Sequence, residues 1–183
     1  VFWIFYLSWG FNYHRESLSN QLGISTNYNK KDLVDVMKKL IVNVNQLHTE
    51  LVKFDSIAVS PTNSKSFFLK STTVYHPTNR TFKIKSSNVK QSMYSLPLSY
   101  MGYAGYLNPF TLESQVNSKI PTLNLITTLL HETAHQMGYA SEKEANFIAY
   151  YSAIKNDDPY VRYAGFSFAL RYFLSELYII DKT

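Results

Sequence analysis

His131-Glu132-Thr133-Ala134-His135 reads HExxH, a pattern of two imidazoles flanking a carboxylate. On a helix, residues four apart lie one turn above each other on the same face, so both histidines can reach a single metal ion. Glu132 lies beside them, positioned to take a proton from a metal-activated water as general base. Zinc is the expected metal, because two neutral imidazoles and one carboxylate leave a fourth position for water and bring its pKa down to about 7. The competing reading is a buried helix whose two histidines are satisfied by neighbouring carbonyls. The chain has five histidines and no cysteine, so any metal site must be built from imidazoles and carboxylates. A disulfide scaffold, a thiolate zinc site and a cysteine nucleophile are excluded.

The third ligand must come from outside the pentapeptide, and the next stretch offers Glu142 and Glu144. Ser141-x-x-Glu144 matches a capping box, which would occupy Glu144 at the start of a helix, close to the site but not on the metal. Glu142 has no such role and stands four residues before Asn146, on the same helical face. Ala145 and Ala149 keep that side small enough for close approach of another helix. Glu142 is therefore the preferred third ligand, with Glu144 as the alternative, and Asn146 is assigned to accept the free N–H of a liganding histidine.

These residues need helices to hold them. Leu123, Ile126, Thr127, Leu130, Ala134 and Met137 form a stripe at helical spacing between Pro121, suited to a first turn, and Gly138, suited to a left-handed end. A second helix is predicted from Ser141 to about Lys155. Another runs from Lys30 to Phe54, with Leu33, Met37, Leu40, Ile41, Val44, Leu47 and Leu51 on one face. A last, buried one spans about Pro159 to Ile180, its charges Arg162, Arg171 and Glu176 arguing against a membrane span. Between Ser56 and Asn88, segments such as Thr72 to His76 and Thr81 to Lys85 read as short strands or loop, and Thr111 to Val116 alternates as one strand. The expectation is a single α+β, mainly helical domain, since 183 residues suit one core and no repeat or linker is visible. A net charge of +5 from 18 basic and 13 acidic residues is a mild excess. Lys83, Lys85 and Lys90 near Phe82 read as a solvated loop face, and no nucleic-acid partner is expected.

The opening VFWIFYLSWGF carries no charge before Arg15. It is shorter than the roughly 20 apolar residues a bilayer span needs. It reads as a buried helix, an interfacial aromatic anchor, or the end of a membrane helix beginning upstream, the last favoured by a start at Val1. Trp3, Tyr6 and Trp9 followed by Tyr13, His14 and Arg15 suit a membrane–water boundary.

At HExxH followed by Glu142-x-x-x-Asn146 the sequence resembles the glutamate-liganded zincin metallopeptidases, whose next helix carries E-x-x-x-D or E-x-x-A-N. Taken with NPFTLESQVN at 108–117, HETAHQMGYASEKEANFIAY at 131–150, VRYAGF at 161–166 and the opening LSWGFNYHR, it resembles a bacterial domain-of-unknown-function family, numbered 3810, found mainly in Bacteroidetes. That resemblance spans nearly the whole chain and implies a zinc peptidase anchored in the bacterial cell membrane by hydrophobic N-terminal helices, with residues 1–15 the end of such a helix and 16–183 the zincin-like domain. Family-like sequences often read N-P-F-T-G-E, where this chain has Leu112. The resemblance implies the metal site and the reaction class but no particular substrate.

In zincins an edge strand beside the active-site helix pairs with extended substrate, and Ser114, Gln115 and Val116 are the predicted strand. An ordinary half-buried strand fits their pattern equally. For an oxyanion donor, Tyr139, Tyr163 and Arg162 are candidates, Tyr163 being preferred for its place in VRYAGF. His14, His48 and His76 are read as surface or core residues. The expected function is zinc-dependent hydrolysis of peptide bonds through a metal-activated water, on a peptide or protein substrate. The alternative is a non-catalytic membrane-associated binding module with a structural or absent metal.

Overall fold

A computed structural model of the chain describes residues 2–25, 27–53, 73–75, 81–83, 89–108 and 110–182; His76 and Lys85 lie outside them. The helices are α1 (Phe2–Ser8), α2 (Leu18–Leu22), α3 (Lys30–Lys53), α4 (Ser95–Met101), α5 (Thr122–Gln136), α6 (Glu142–Ile154) and α7 (Pro159–Lys182), with a 3₁₀ turn at Gly10–His14 after α1. Strands β1 (Thr73–Tyr75) and β2 (Thr81–Lys83) form an antiparallel pair, and β3 (Val89–Gln91), β4 (Gly105–Asn108) and β5 (Glu113–Val116) form a three-stranded sheet in the order β3-β5-β4. The architecture is α+β and mainly helical.

Helix α5 is central because it has two apolar faces. Ile126, Leu130 and Ala134 pack against Ala145, Ile148, Ala149 and Ala153 of α6 and Val161 and Ala164 of α7. Leu125 and Leu129, on an adjacent stripe, pack on Val116 of β5 with Val89 and Ile120. Each fully buried aliphatic side chain contributes roughly 1.5–3 kcal/mol, so helices on one side and the sheet on the other fix the rotation of α5 about its axis. The remaining strip, carrying Asn124, Thr128, His131 and His135, is left to face a cavity.

In α3 the predicted stripe holds at Leu33, Met37, Leu40, Leu47 and Leu51, but Ile41 is exposed. Helix α7 departs from the expectation of burial throughout: Val161, Ala164, Gly165 and Ala169 are buried, whereas Tyr172, Leu174, Tyr178 and Ile179 are exposed. Its first half packs against α5 and α6, and its second half reaches the start of α3, where the Tyr28 hydroxyl donates to Glu176 and Lys30 pairs with Asp181. Among the described residues no helix is long and apolar enough to cross a membrane.

The sheet corrects the strand expectation. Ser114, Gln115 and Val116 lie on the central strand, paired parallel to Val89, Lys90 and Gln91 and antiparallel to Leu107, Tyr106 and Gly105. Both edges of β5 are occupied, so no main chain is left there for a peptide, and the strand is held to α5 by a 2.8 Å bond from Ser114 Oγ to the Glu132 carbonyl. The strand with one neighbour, among the described residues and on the side of the histidines, is β4. Asn117 N–H donates to the Ala104 carbonyl, which makes Ala104 and Asn117 a hydrogen-bonded pair. By antiparallel alternation Tyr106 and Gln115 are the next such pair, so Gly105 and Leu107 turn their main-chain groups away from β5.

The β4–β5 hairpin explains the departure at Leu112. Its φ is +54°, the left-handed region that favours glycine. A β-carbon there costs about 1 kcal/mol. Because the Leu112 side chain is exposed, Leu112→Gly is expected to stabilise the fold by about 1 kcal/mol, read as a higher urea midpoint. A lower midpoint would show that the leucine contributes packing that outweighs the strain.

Candidate metal centre

The turn after α5 brings the site together. Gly138 takes φ +86° and ends the helix. Arg15 donates to the Met137 carbonyl and to the Tyr139 hydroxyl, each at 3.2 Å, and its guanidinium lies 4.2 Å from the Tyr139 ring centre. The opening segment thus braces the C-terminal end of α5, and the chain re-enters α6 at Glu142, directly beneath the histidines.

His131 Nε2 and His135 Nε2 are 3.0 Å apart, His131 Nε2 is 3.1 Å from Glu142 Oε2, and His135 Nε2 is 3.4 Å from Glu142 Oε1. The far side of each ring fixes its tautomer. His135 Nδ1 donates to the Tyr139 carbonyl at 2.6 Å, and His131 Nδ1 donates to Asn146 Oδ1 at 2.8 Å. Both Nε2 atoms therefore present lone pairs. Burial, and then the neighbouring His135, lowers the pKa of His131, with Glu142 and Asn146 opposing, so the neutral ring is favoured. Two imidazole nitrogens and a carboxylate converge within 3.4 Å of one another, a donor set that suits a cation. Ligands about 2.0–2.1 Å from a tetrahedral zinc stand about 3.3 Å from one another, and the three observed separations fit.

Glu132 is buried beside this cluster, and its carboxyl is pushed up to about 8, first by burial and then by the charge of Glu142. Space for it depends on Gly105: a β-carbon there would stand 2.8 Å from Glu132 Oε1 and 3.0 Å from the Gln115 carbonyl. The strand can pass over the carboxyl only without a side chain at that position.

The remaining candidates separate. The expected capping box is not formed: Ser141 makes no side-chain cap bond, and Glu144 instead accepts the Leu18 backbone N–H at 2.5 Å. The reason is that α2 presents an unpaired first-turn donor to Glu144. Tyr163 faces α3, its ring 6.0 Å from that of His48, and it is absent from the cavity wall. It lies five residues before the cavity-lining Phe168, about 140° around the helix. Arg162 donates to the Asn156 and Asp157 carbonyls, holding the turn after α6. Tyr139 serves the site through its carbonyl, its hydroxyl being taken by Arg15. His14 pairs with the Tyr6 hydroxyl, away from the pair.

The cavity over the centre has a volume of about 680 Å³. Sequence reasoning missed several of its residues: Gly105 on β4, Asn124 at the start of α5, Phe168 and Arg171 on α7, and Phe5, Trp9 and Tyr13 at the opening. Trp9 is buried with its ring 6.4 Å from that of His135. Signals existed for two of them, a cation midway along a largely apolar helix and a glycine inside an aromatic-rich strand.

A family model described as "Protein of unknown function (DUF3810)" matches residues 1–183. No curated protein and no solved structure matches the chain.

Proposed function

The chain belongs to the DUF3810 family along its whole length, and we propose that it is a zinc-dependent peptidase of zincin-like architecture, associated with a bacterial cell membrane. The observation that carries this reading is the convergence of the His131 and His135 lone pairs and the Glu142 carboxylate beside the buried carboxyl of Glu132. His131, His135 and Glu142 hold the ion, and Asn146 and the Tyr139 carbonyl orient the two rings. When bound, Zn²⁺ supplies a Lewis acid for the scissile carbonyl and a water acidic enough to attack it near neutral pH. Beside the positive charge of the bound ion the Glu132 carboxyl ionises, and in that form it accepts that water's proton and returns it to the nitrogen of the leaving amine. The outward main-chain groups of Gly105 and Leu107 support an extended peptide adding to β4. Exposed Trp3, Ile4, Leu7, Phe11 and Tyr13 support a membrane contact at the opening segment.

Metal analysis tests the centre. Purified protein is expected to carry one zinc per chain and His131→Ala to lose it. Absence of stoichiometric zinc, or zinc unaffected by the substitution, overturns the proposal.

A further inference from the structure

The cavity wall is mostly aromatic and small, and apart from the histidines it has one cation among the described residues, Arg171. Its Nη1 lies 3.4 Å from Asn124 Oδ1, and its guanidinium carbon lies 5.7 Å from the Phe168 ring centre. Among the described residues no acidic side chain forms an ion pair with it. A guanidinium has five N–H donors in a planar fork suited to a carboxylate, and Asn124 engages one. Its place along α5 follows from Asn124, which precedes His131 by seven residues, about 10 Å of helix. That is too far for a donor to the oxyanion, which needs one within about 3 Å. It suits a subsite.

The sheet supplies the direction. Gln136 donates to the Leu112 carbonyl, and Ser114 donates to the Glu132 carbonyl, while Val116 packs on Leu125 and Leu129. Strand β5 therefore runs antiparallel to α5, and β4, antiparallel to β5, runs parallel to it. A peptide pairing antiparallel with the outer edge of β4 runs from the His135 end toward Asn124, with its C-terminal side toward Arg171. At about 3.4 Å per residue, 10 Å is about three residues. Resting on the peptidase reading, we propose that Arg171 is a specificity-determining residue that binds a substrate carboxylate two to three residues beyond the scissile bond. Its source is a free C-terminus or an acidic side chain.

The test uses one neutral peptide sequence as free acid, as C-terminal amide, and as amide with Glu at the third position beyond the cut, with products read by mass spectrometry. Wild type is expected to cleave the free acid about 10-fold faster than the plain amide, releasing a piece of two or three residues. Arg171→Gln is expected to erase the preference and Arg171→Lys to keep part of it. Rescue of the amide by Glu identifies a side chain as an accepted source; no rescue restricts the subsite to chain ends. Calorimetry of the same peptides on Glu132→Gln protein, with and without Arg171→Gln, reads the subsite without turnover. Equal cleavage and equal binding of acid and amide overturn the subsite and leave the peptidase reading standing. Acid-selective binding that needs Arg171, with no cleavage of any peptide by wild type, does the reverse. No binding and no cleavage overturn both.

Discussion

Glu132→Gln is expected to lower peptide hydrolysis by about 10³-fold or more, leave zinc bound, and make the metal-free protein more stable above pH 5. Glutamine keeps the shape beneath Gly105 but can neither take nor return a proton. The stability effect comes from burial. An ordinary carboxyl titrates near 4.5, whereas that of Glu132 is pushed up to about 8 in the fold. Between those values the folded chain keeps a proton that the unfolded chain has released, so stability falls as pH rises through this window. The loss approaches about 4 kcal/mol by pH 8 and is absent below pH 4.5, where both states are protonated. Glutamine has no proton to lose. Urea denaturation of metal-free protein at pH 5, 6, 7 and 8 should show a falling wild-type profile and a flatter Glu132→Gln profile, the two diverging with pH. Parallel profiles would mean that Glu132 is solvated in the fold.

The same burial explains how an ionisable group is tolerated on a helix packed on two faces. The two apolar stripes of α5 meet the sheet and the α6–α7 pair, and Glu132 lies close to the sheet-facing one, covered by Gly105. The carboxyl enters an apolar site by remaining protonated, and the lone pairs of His131 and His135 are gathered against Glu142 next to it. Each departure from an inert core falls within two turns of one helix.

That locality also decides what was legible in the sequence. HExxH, the helix from Pro121 to Gly138, the left-handed glycine at its end and the face shared by Glu142 and Asn146 depend on spacings of a few residues, and they emerge as read. The centrality of Ser114 to Val116 does not, because it depends on β3 some 25 residues earlier in the chain arriving as a parallel neighbour, which a period-two pattern cannot report. The motif around Tyr163 points to an oxyanion donor, yet Val161, Ala164 and Gly165 of that motif are buried, so the segment serves helix packing and its tyrosine is turned to α3. In the sequence Arg171 is legible only as a charge too costly for a membrane span. Its meaning required knowing that α7 crosses beside Asn124. Leu112 was visible as an exception to a family-like glycine, and the positive φ supplies the reason.

The two glutamates after the turn give the sharpest separation of roles. Glu142→Ala is expected to weaken zinc binding by about 100-fold or more, since it removes one of three protein donors. The fold should change little, within about 0.5 kcal/mol, because the Glu142 side chain is 74% exposed. Removing its charge also withdraws the second cause of the raised Glu132 carboxyl, so the pH slope of the metal-free protein should flatten in part. Glu144→Ala should do the opposite. It leaves the three donors in place but strips the buried start of α2 of the carboxylate that accepts the Leu18 N–H, costing about 2 kcal/mol. Zinc titration and urea denaturation on the two variants therefore give crossed results, one losing metal and the other losing stability. Loss of zinc from Glu144→Ala with zinc retained by Glu142→Ala would exchange the two residues and break the link between the exposed carboxylate and the histidine lone pairs.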